Sequence, residues 1–388
     1  MSMIKHKLIF VAGARPNFMK VAPLLEELRH YGSFESVFVH TGQHYDSKLS
    51  ACFFQDLNLP EPDYFLGVGS GSHAQQTAEI MKRFEPVLTA ERPDCVIVVG
   101  DVNSTMAAAV VASKLQIPVV HVEAGLRSFD RSMPEEINRI ITDAVSDILL
   151  VTEESGRQNL LREGVSADRI HLVGNLMIDS LRRSLDAAQQ SNIMRRLGAA
   201  PRSFGLVTLH RPANVDHSEQ LNEILDAIIE ISQSLPLFFP VHPRTQAQLA
   251  GYPRMSDRVV LLDPLGYVDF LCLMSNSAVV LTDSGGVQEE TTALRIPCIT
   301  LRNNTERPIT IEQGTNILAG THKSTILAAW HEIQEHPKSG RIPDFWDGTT
   351  ASRCAAVLQK FFTLRSTLSQ TPERSGKSAS ESAAVLAI

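Results

Sequence analysis

Cys95-Val96-Ile97-Val98-Val99-Gly100-Asp101-Val102-Asn103-Ser104-Thr105 is the stretch that decides the fold. Five consecutive apolar residues run into a glycine, an acid and a polar segment able to open a helix. An apolar run this short, bounded by turn residues, reads as a buried strand of a parallel sheet. In open α/β sheets ligands bind beyond the carboxyl ends of the strands, so Gly100 and Asp101 lie where a site is expected.

Outward from this segment the same alternation recurs along the chain. Strand candidates are Leu8–Ala12, Val37–His40, Val119–Val122 and Ile148–Val151 in the first half. The second half offers Gly205–Leu209, Leu237–Val241, Val259–Leu262, Ala278–Leu281 and Cys298–Leu301. Between them lie segments with one apolar stripe, such as Phe18, Val21, Ala22, Leu25 and Leu28, the signature of helices covering a sheet. The fold class is therefore α/β.

At 388 residues the chain is longer than one hydrophobic core usually supports. Its periodicity loosens between about Asp186 and Pro201. The expected division is a Rossmann-like domain over 1–185, a second over 186–365, facing each other across a central cleft, and a disordered tail over 366–388, where Ser, Thr and charge replace periodicity.

A formal net charge of −7 gives no general attraction to nucleic acid or to an anionic membrane, so neither partner is expected. No apolar run reaches the roughly 18 residues of a membrane span, and the expected location is the cytoplasm. Cys52, Cys95, Cys272, Cys298 and Cys354 are widely separated, without metal-ligand spacing, and read as buried thiols; no metal and no cofactor is expected.

The polar residues cluster after the apolar runs. Gly13-Ala14-Arg15-Pro16-Asn17-Phe18-Met19-Lys20 follows the first strand, and His121-Val122-Glu123-Ala124-Gly125 spans the end of another. His210-Arg211-Pro212, His242-Pro243-Arg244 and Thr282-Asp283-Ser284-Gly285-Gly286 end strands of the second half. Six such ends drawn from both halves point to one polar cleft. Ser284, Gly285 and Gly286 before a helix suit a phosphate, since small residues let backbone N–H groups approach an anion. A plain helix N-cap by Asp283 or Ser284 is the alternative. The first loop lacks the Gly-x-Gly-x-x-Gly fingerprint, which argues against NAD, while Arg15 supplies a fork-shaped cation for phosphate. His210 and His242 are placed to hydrogen-bond a substrate oxygen or phosphate.

Asp101, Glu123 and Glu135 are the acid–base candidates. Each has a structural alternative. Asp101 could cap the helix starting near Asn103, and Glu123 could be a solvated loop charge. Ser132-Met133-Pro134-Glu135 also reads as a capping box with Ser132 as N-cap, and Glu135 could pair with Arg139 one turn on.

Taken together these segments resemble the non-hydrolysing UDP-N-acetylglucosamine 2-epimerases, a family with the two-domain glycosyltransferase-B architecture. The resemblance runs from about Leu8 to about Arg307. It rests on Gly13-Ala14-Arg15-Pro16 with Lys20, Gly100-Asp101, His121-Val122-Glu123-Ala124-Gly125-Leu126-Arg127, and Pro134-Glu135-Glu136-Ile137-Asn138-Arg139. Thr282-Asp283-Ser284-Gly285-Gly286-Val287-Gln288-Glu289-Glu290 and Thr305-Glu306-Arg307-Pro308 complete it. It implies that Lys20, Asp101, Glu123, Glu135 and His210 serve catalysis, the acid–base carboxylates lying on the sugar side in the first domain. It also implies that Arg15, Ser284, Gly285, Gly286, Glu290 and Arg307 hold the UDP, and that a homodimer acts in making cell-surface polysaccharide.

The implied reaction is reversible epimerisation at carbon 2, UDP-N-acetylglucosamine to UDP-N-acetylmannosamine, through loss of UDP to a glycal and its re-addition. The segments His40-Thr41-Gly42-Gln43-His44-Tyr45-Asp46 and Gly67-Val68-Gly69-Ser70-Gly71-Ser72-His73 depart from the bacterial branch whose second site binds activating substrate. Substrate activation is accordingly not expected. They look closer to a branch acting on UDP-2,3-diacetamido-glucuronic acid, which leaves that sugar, another UDP-N-acetylhexosamine, or a hydrolysing 2-epimerase as alternatives.

Overall fold

The structure, a computed structural model, describes residues 5–369 apart from 44–53, 55, 250–251 and 253–255, with the backbone alone of Arg15 and of 367–369. A first sheet holds β1 (His6–Ala12), β2 (Phe34–His40), β3 (Tyr64–Phe65), β4 (Cys95–Val99), β5 (Val119–Ala124), β6 (Ile148–Val151) and β7 (Ile170–Leu172), in the order β3-β2-β1-β4-β5-β6-β7. A second holds β8 (Gly205–Thr208), β9 (Leu237–Pro240), β10 (Val259–Leu262), β11 (Val279–Thr282), β12 (Cys298–Thr300) and β13 (Asn316–Leu318), in the order β10-β9-β8-β11-β12-β13. Every neighbouring pair is parallel. The α/β class read from the apolar runs is what the chain adopts, and each expected strand is present, Cys95–Val99, Ile148–Val151 and Val259–Leu262 with the expected ends and the others with shifted ones. β3, β7 and β13, at two or three residues, are too short to carry a periodic signal.

Alternation along the strands sends residues to two cores per sheet. Leu8, Phe10, Ile97 and Val99 pack on one face of the first sheet, and Ile9, Val11, Val96 and Val98 on the other. The second sheet repeats this with Val207, Phe239 and Leu281 against Leu206, Phe238 and Val280.

Helices crossing between the strands position the site: α1 (Arg15–Arg29), α2 (Asn103–Lys114), α3 (Pro134–Val145), α4 (Leu176–Gln189), α5 (Tyr267–Asn276) and α6 (Gly285–Leu294), with α7 (Thr350–Ser369) following the last strand. In both sheets the chain order reverses once, between β1 and β4 and between β8 and β11. These switch points leave crevices beyond the carboxyl ends of the strands. Met19 and Met177 join the apolar cluster that includes Leu206, Phe238 and Val280, so the two halves share packed surface.

One range needs correction. The expected second domain ran to 365, yet α7 packs into the core of the first sheet through Ala351, Cys354, Ala355, Leu358 and Phe362. This i, i+3, i+4, i+7 stripe buries against Leu8 and Phe10, and Asp179 accepts the Thr350 and Ala351 amides at 3.2 and 2.8 Å to cap the helix. The helix also runs to Ser369, four residues into the segment expected to be disordered; the tail from 370 lies outside the described residues. Cys95, Cys272, Cys298 and Cys354 are buried free thiols, and Cys52 lies outside the described residues. Among the described residues no helix is long and apolar enough to cross a membrane.

Candidate active site

The β1–α1 turn is built tightly. Asn17, buried in the first turn of α1, accepts the Gly13 and Ala14 amides at 3.2 and 3.1 Å and donates to the Val99 carbonyl at 2.8 Å, tying this turn to β4. A side chain at Gly13 would collide with Ser104 and Thr41. The turn points Lys20, on the second turn of α1, inward to a buried ion pair with Glu123.

Glu123 reaches that position through an irregular strand. β5 slips its register against β6 between Val122 and Ala124, and Glu123 itself has φ +73°. A left-handed backbone at a residue other than glycine costs about 1–3 kcal/mol and survives where the surroundings over-determine it. The slip interrupts the strand's two-residue alternation, and the buried carboxylate meets cations. Gly100, φ +70°, faces it: a side chain there would lie 3.3 Å from Asn17 Nδ2 and 3.7 Å from Lys20 Nζ.

Asp101 follows Gly100 and is half-buried. Arg139 Nη1 lies 2.5 Å from its Oδ2. The same guanidinium binds Glu136 Oε2 through Nε at 3.1 Å and Nη2 at 2.6 Å. Glu136 also accepts the Ser128 and Phe129 amides, both at 2.9 Å, which fixes the loop after β5.

From the second half Arg307 enters the cleft. Its Nη2 lies 2.7 Å from Glu123 Oε1, its Nε lies 2.8 Å from Glu289 Oε1, and Nη1 pairs with Glu306. Glu306 in turn accepts Arg302 Nη2 at 2.7 Å. Burial works against the charge on Arg307, but Glu289, Glu306 and Asp101 outweigh it and raise its pKa. Gly285 leaves room for this side chain, since a Cβ there would stand 2.5 Å from Nη1 and 2.9 Å from Cζ.

The structure therefore brings Lys20, Asp101, Glu123 and Arg307 together. Ser284, Gly285 and Gly286 lie at the α6 N-terminus, with Gly285 against Arg307. Glu290 is buried on α6, accepts Tyr267 Oη at 2.7 Å, and is pushed up to about 7 by burial. His210 Nδ1 lies 2.9 Å from Asp283 Oδ1, and the His210 and His242 rings are 5.8 Å apart; His242 is exposed and accepts the Arg244 amide at 3.2 Å. The Arg15 side chain lies outside the described residues.

Several structural alternatives resolve. Asp101 is no cap, because α2 starts from Val102 without a side-chain bond. Asp283 caps nothing on α6; it accepts the His210 and Arg211 amides instead. Glu135 does not pair with Arg139, whose partner one turn back is Glu136, and Ser132 donates to Asp130 Oδ1 at 2.6 Å while Met133 is the N-cap. Pro134 opens the helix one position later than a Ser132 cap would. Glu135 is half-buried with no hydrogen bond or ion pair among the described residues.

Sequence reasoning assigned no role to Glu289 or Glu306, and gave Arg139 only that of a partner for Glu135, although all three lie inside motifs read from the sequence. Each has a partner distant in the chain: Arg139 meets Asp101, Glu289 meets Arg307 and Glu306 meets Arg211. It passed over Glu153 entirely: this carboxyl follows β6, is buried, and is pushed up to about 8 by burial. Lys20 is lowered to about 8 by burial.

Residues 26–359 match the protein family described as UDP-N-acetylglucosamine 2-epimerase. The UDP-N-acetylglucosamine 2-epimerase of Methanocaldococcus jannaschii is 41% identical over 362 residues, covering 91% of this chain and 98% of that one. The UDP-2,3-diacetamido-2,3-dideoxy-D-glucuronate 2-epimerase of Pseudomonas aeruginosa is 40% identical over 362 residues, covering 91% and 99%. The crystal structure of the M. jannaschii enzyme with UDP-GlcNAc and UDP superposes with a TM-score of 0.86 at 41% identity, covering 91% of this chain and 99% of that one.

Proposed function

The chain belongs to the UDP-N-acetylglucosamine 2-epimerase family, and from that premise we propose how its cleft inverts carbon 2 of a UDP-linked N-acetylated amino sugar. Carbon 2 has no adjacent carbonyl to acidify its proton, so the leaving group must contribute. The bond from carbon 1 to the diphosphate oxygen breaks with its electron pair going to UDP. A carboxylate takes the carbon 2 proton, and a carbon 1–carbon 2 double bond remains. Protonation from the opposite face and attack by the diphosphate on carbon 1 complete the inversion.

One observation carries this reading. Asp101 and Glu123, from the ends of neighbouring strands β4 and β5, stand beside Arg307 of the other half, which lies 2.7 Å from Glu123. Two carboxylates can serve the two faces of a sugar. Arg307 and Lys20 would stabilise the diphosphate as it gathers charge, an electrostatic contribution that is largest in a closed, water-poor cleft. Glu135 is the third acid–base candidate. His210 and His242 would meet substrate oxygens, and Arg15, Ser284, Gly285, Gly286 and Glu290 would hold the UDP, the Glu290 carboxylate suiting ribose hydroxyls. A cytoplasmic homodimer supplying cell-surface polysaccharide synthesis is the setting this function fits.

The 40% identity to the diacetamido-glucuronate enzyme favours a second reading, the same chemistry on a sugar also amidated at carbon 3. NMR of both UDP-sugars with the protein in heavy water tests both readings. Deuterium at carbon 2 with the UDP linkage intact is expected for the true substrate. Release of free sugar, or no exchange with either, rejects them.

A further inference from the structure

We propose that Asp143 is a positioning residue for both proton-transfer carboxylates: its two oxygens fix the backbone of the loops that carry Asp101 and Glu123. The proposal rests on the roles just given to those two acids.

Asp143 lies on α3, fully buried, and touches neither acid. Its Oδ1 is 2.6 Å from His121 Nδ1, and the other ring nitrogen, Nε2, is 2.8 Å from the Gly100 carbonyl oxygen. A carbonyl only accepts, so His121 donates from Nε2 and spans from Asp143 to the peptide leading into Asp101. The second oxygen, Oδ2, accepts the Gly125 amide at 3.1 Å, two residues beyond Glu123, and pairs with Arg127 Nη2 at 2.7 Å. Arg127 is itself clamped by Glu163, through Nε at 2.8 Å and Nη2 at 2.7 Å.

Both loops need such a clamp. Gly100, Glu123 and Gly125 have φ of +70°, +73° and +80°, three left-handed residues on two adjacent strand ends. Gly125 also lies so close to the Gly156 carbonyl that no side chain fits. The glycines take this conformation freely, but at Glu123 it is strained and persists only when surrounding bonds hold it. Asp143 is the group on which the bonds from both loops converge. Burial opposes its charge, but His121 and Arg127 outweigh this and hold its carboxyl below the usual range, so both oxygens act as acceptors. Misplacing a reacting group by about 1 Å costs on the order of a hundredfold in rate, so loosening this anchor acts on turnover.

Asp143→Asn tests this, because it keeps the shape and replaces one accepting oxygen with a donor. The expected result is a fall in kcat of about tenfold to a hundredfold, matched by slower carbon 2 deuterium exchange. The Kd for UDP and the KM should stay within about threefold, because Asp143 bonds to His121, Gly125 and Arg127 and to none of the residues given to the UDP. Wild-type kcat, or UDP affinity lost in step with kcat, overturns the proposal. Should Asp143→Asn fail to fold, His121→Gln leaves Asp143 to hold Gly125 and Arg127 and removes only the bridge to Gly100. A reduced kcat at unchanged UDP affinity supports the proposal, and an unchanged kcat overturns it. Asp101→Asn and Glu123→Gln are measured alongside. Full activity in either rejects the acid–base reading itself, whereas inactivity in both beside an active Asp143→Asn rejects only the anchor.

Discussion

Arg307 Nη2 stands 2.7 Å from Glu123 Oε1, an ion pair between a loop after β12 in the second sheet and the bulged end of β5 in the first. The contact joins the group proposed to hold the diphosphate to one proposed to move the proton. Anything that displaces the guanidinium therefore disturbs both halves of the reaction.

Gly285→Ala is the least invasive way to displace it, because the added methyl would stand 2.5 Å from Nη1. We expect kcat/KM to fall by about two orders of magnitude, the scale of losing one preorganised donor to developing charge. Isothermal titration with UDP and steady-state kinetics check this; wild-type values for both would mean the guanidinium has another role.

Lys20, lowered to about 8 by burial, carries its charge below that pH and loses it above. If the charged form balances Glu123 and the departing diphosphate, kcat declines as pH rises through about 8. Lys20→Arg, whose side chain stays protonated, should move that decline to higher pH. A wild-type profile flat to pH 9.5 would contradict the assignment.

Glu290 is pushed up to about 7, burial exceeding the opposing hydrogen bond from Tyr267. Ribose hydroxyls donate best to the ionised carboxylate, so UDP affinity should weaken as pH falls through about 7. Tyr267→Phe removes the donor that favours the charged form and should shift this midpoint upward. UDP binding that ignores pH between 5.5 and 8.5 would exclude the ribose role.

Glu153, at about 8, keeps its proton in the folded chain over a range where the unfolded chain has lost it. The folded state binds more protons between about pH 4.5 and 8, so this group makes stability decline as pH rises across that window. Glu153→Gln should leave Tm near wild type at pH 5 and raise it by a few degrees at pH 9. Equal Tm differences at both pH values would show that the carboxyl does not titrate there.

The candidate site was legible where function depends on residues close in sequence. Gly100-Asp101 and Ser284-Gly285-Gly286 follow apolar runs that could only be strands, and strand ends are where ligands bind, so their location followed from pattern. The ion pairs of Arg139 with Asp101 and of Glu289 with Arg307 were not legible, because they span residues that no local period relates. Glu135 and Arg139 illustrate the converse: at i, i+4 they could pair, but the helix starts at Pro134 and Arg139 turns to Glu136.

The sequence by itself determined the α/β class, the strands that stand out as short apolar runs, and the polar strand ends from which a cleft could be inferred. Those properties are local, set by the spacing of apolar residues and by turn chemistry. Tertiary structure alone decided that α7 returns to the first core, that Glu123 is turned by a bulge between Lys20 and Arg307, and that Asp143 grips two loops at once. Each depends on side chains meeting across long stretches of chain, where packing and paired charges choose among arrangements that spacing leaves equal.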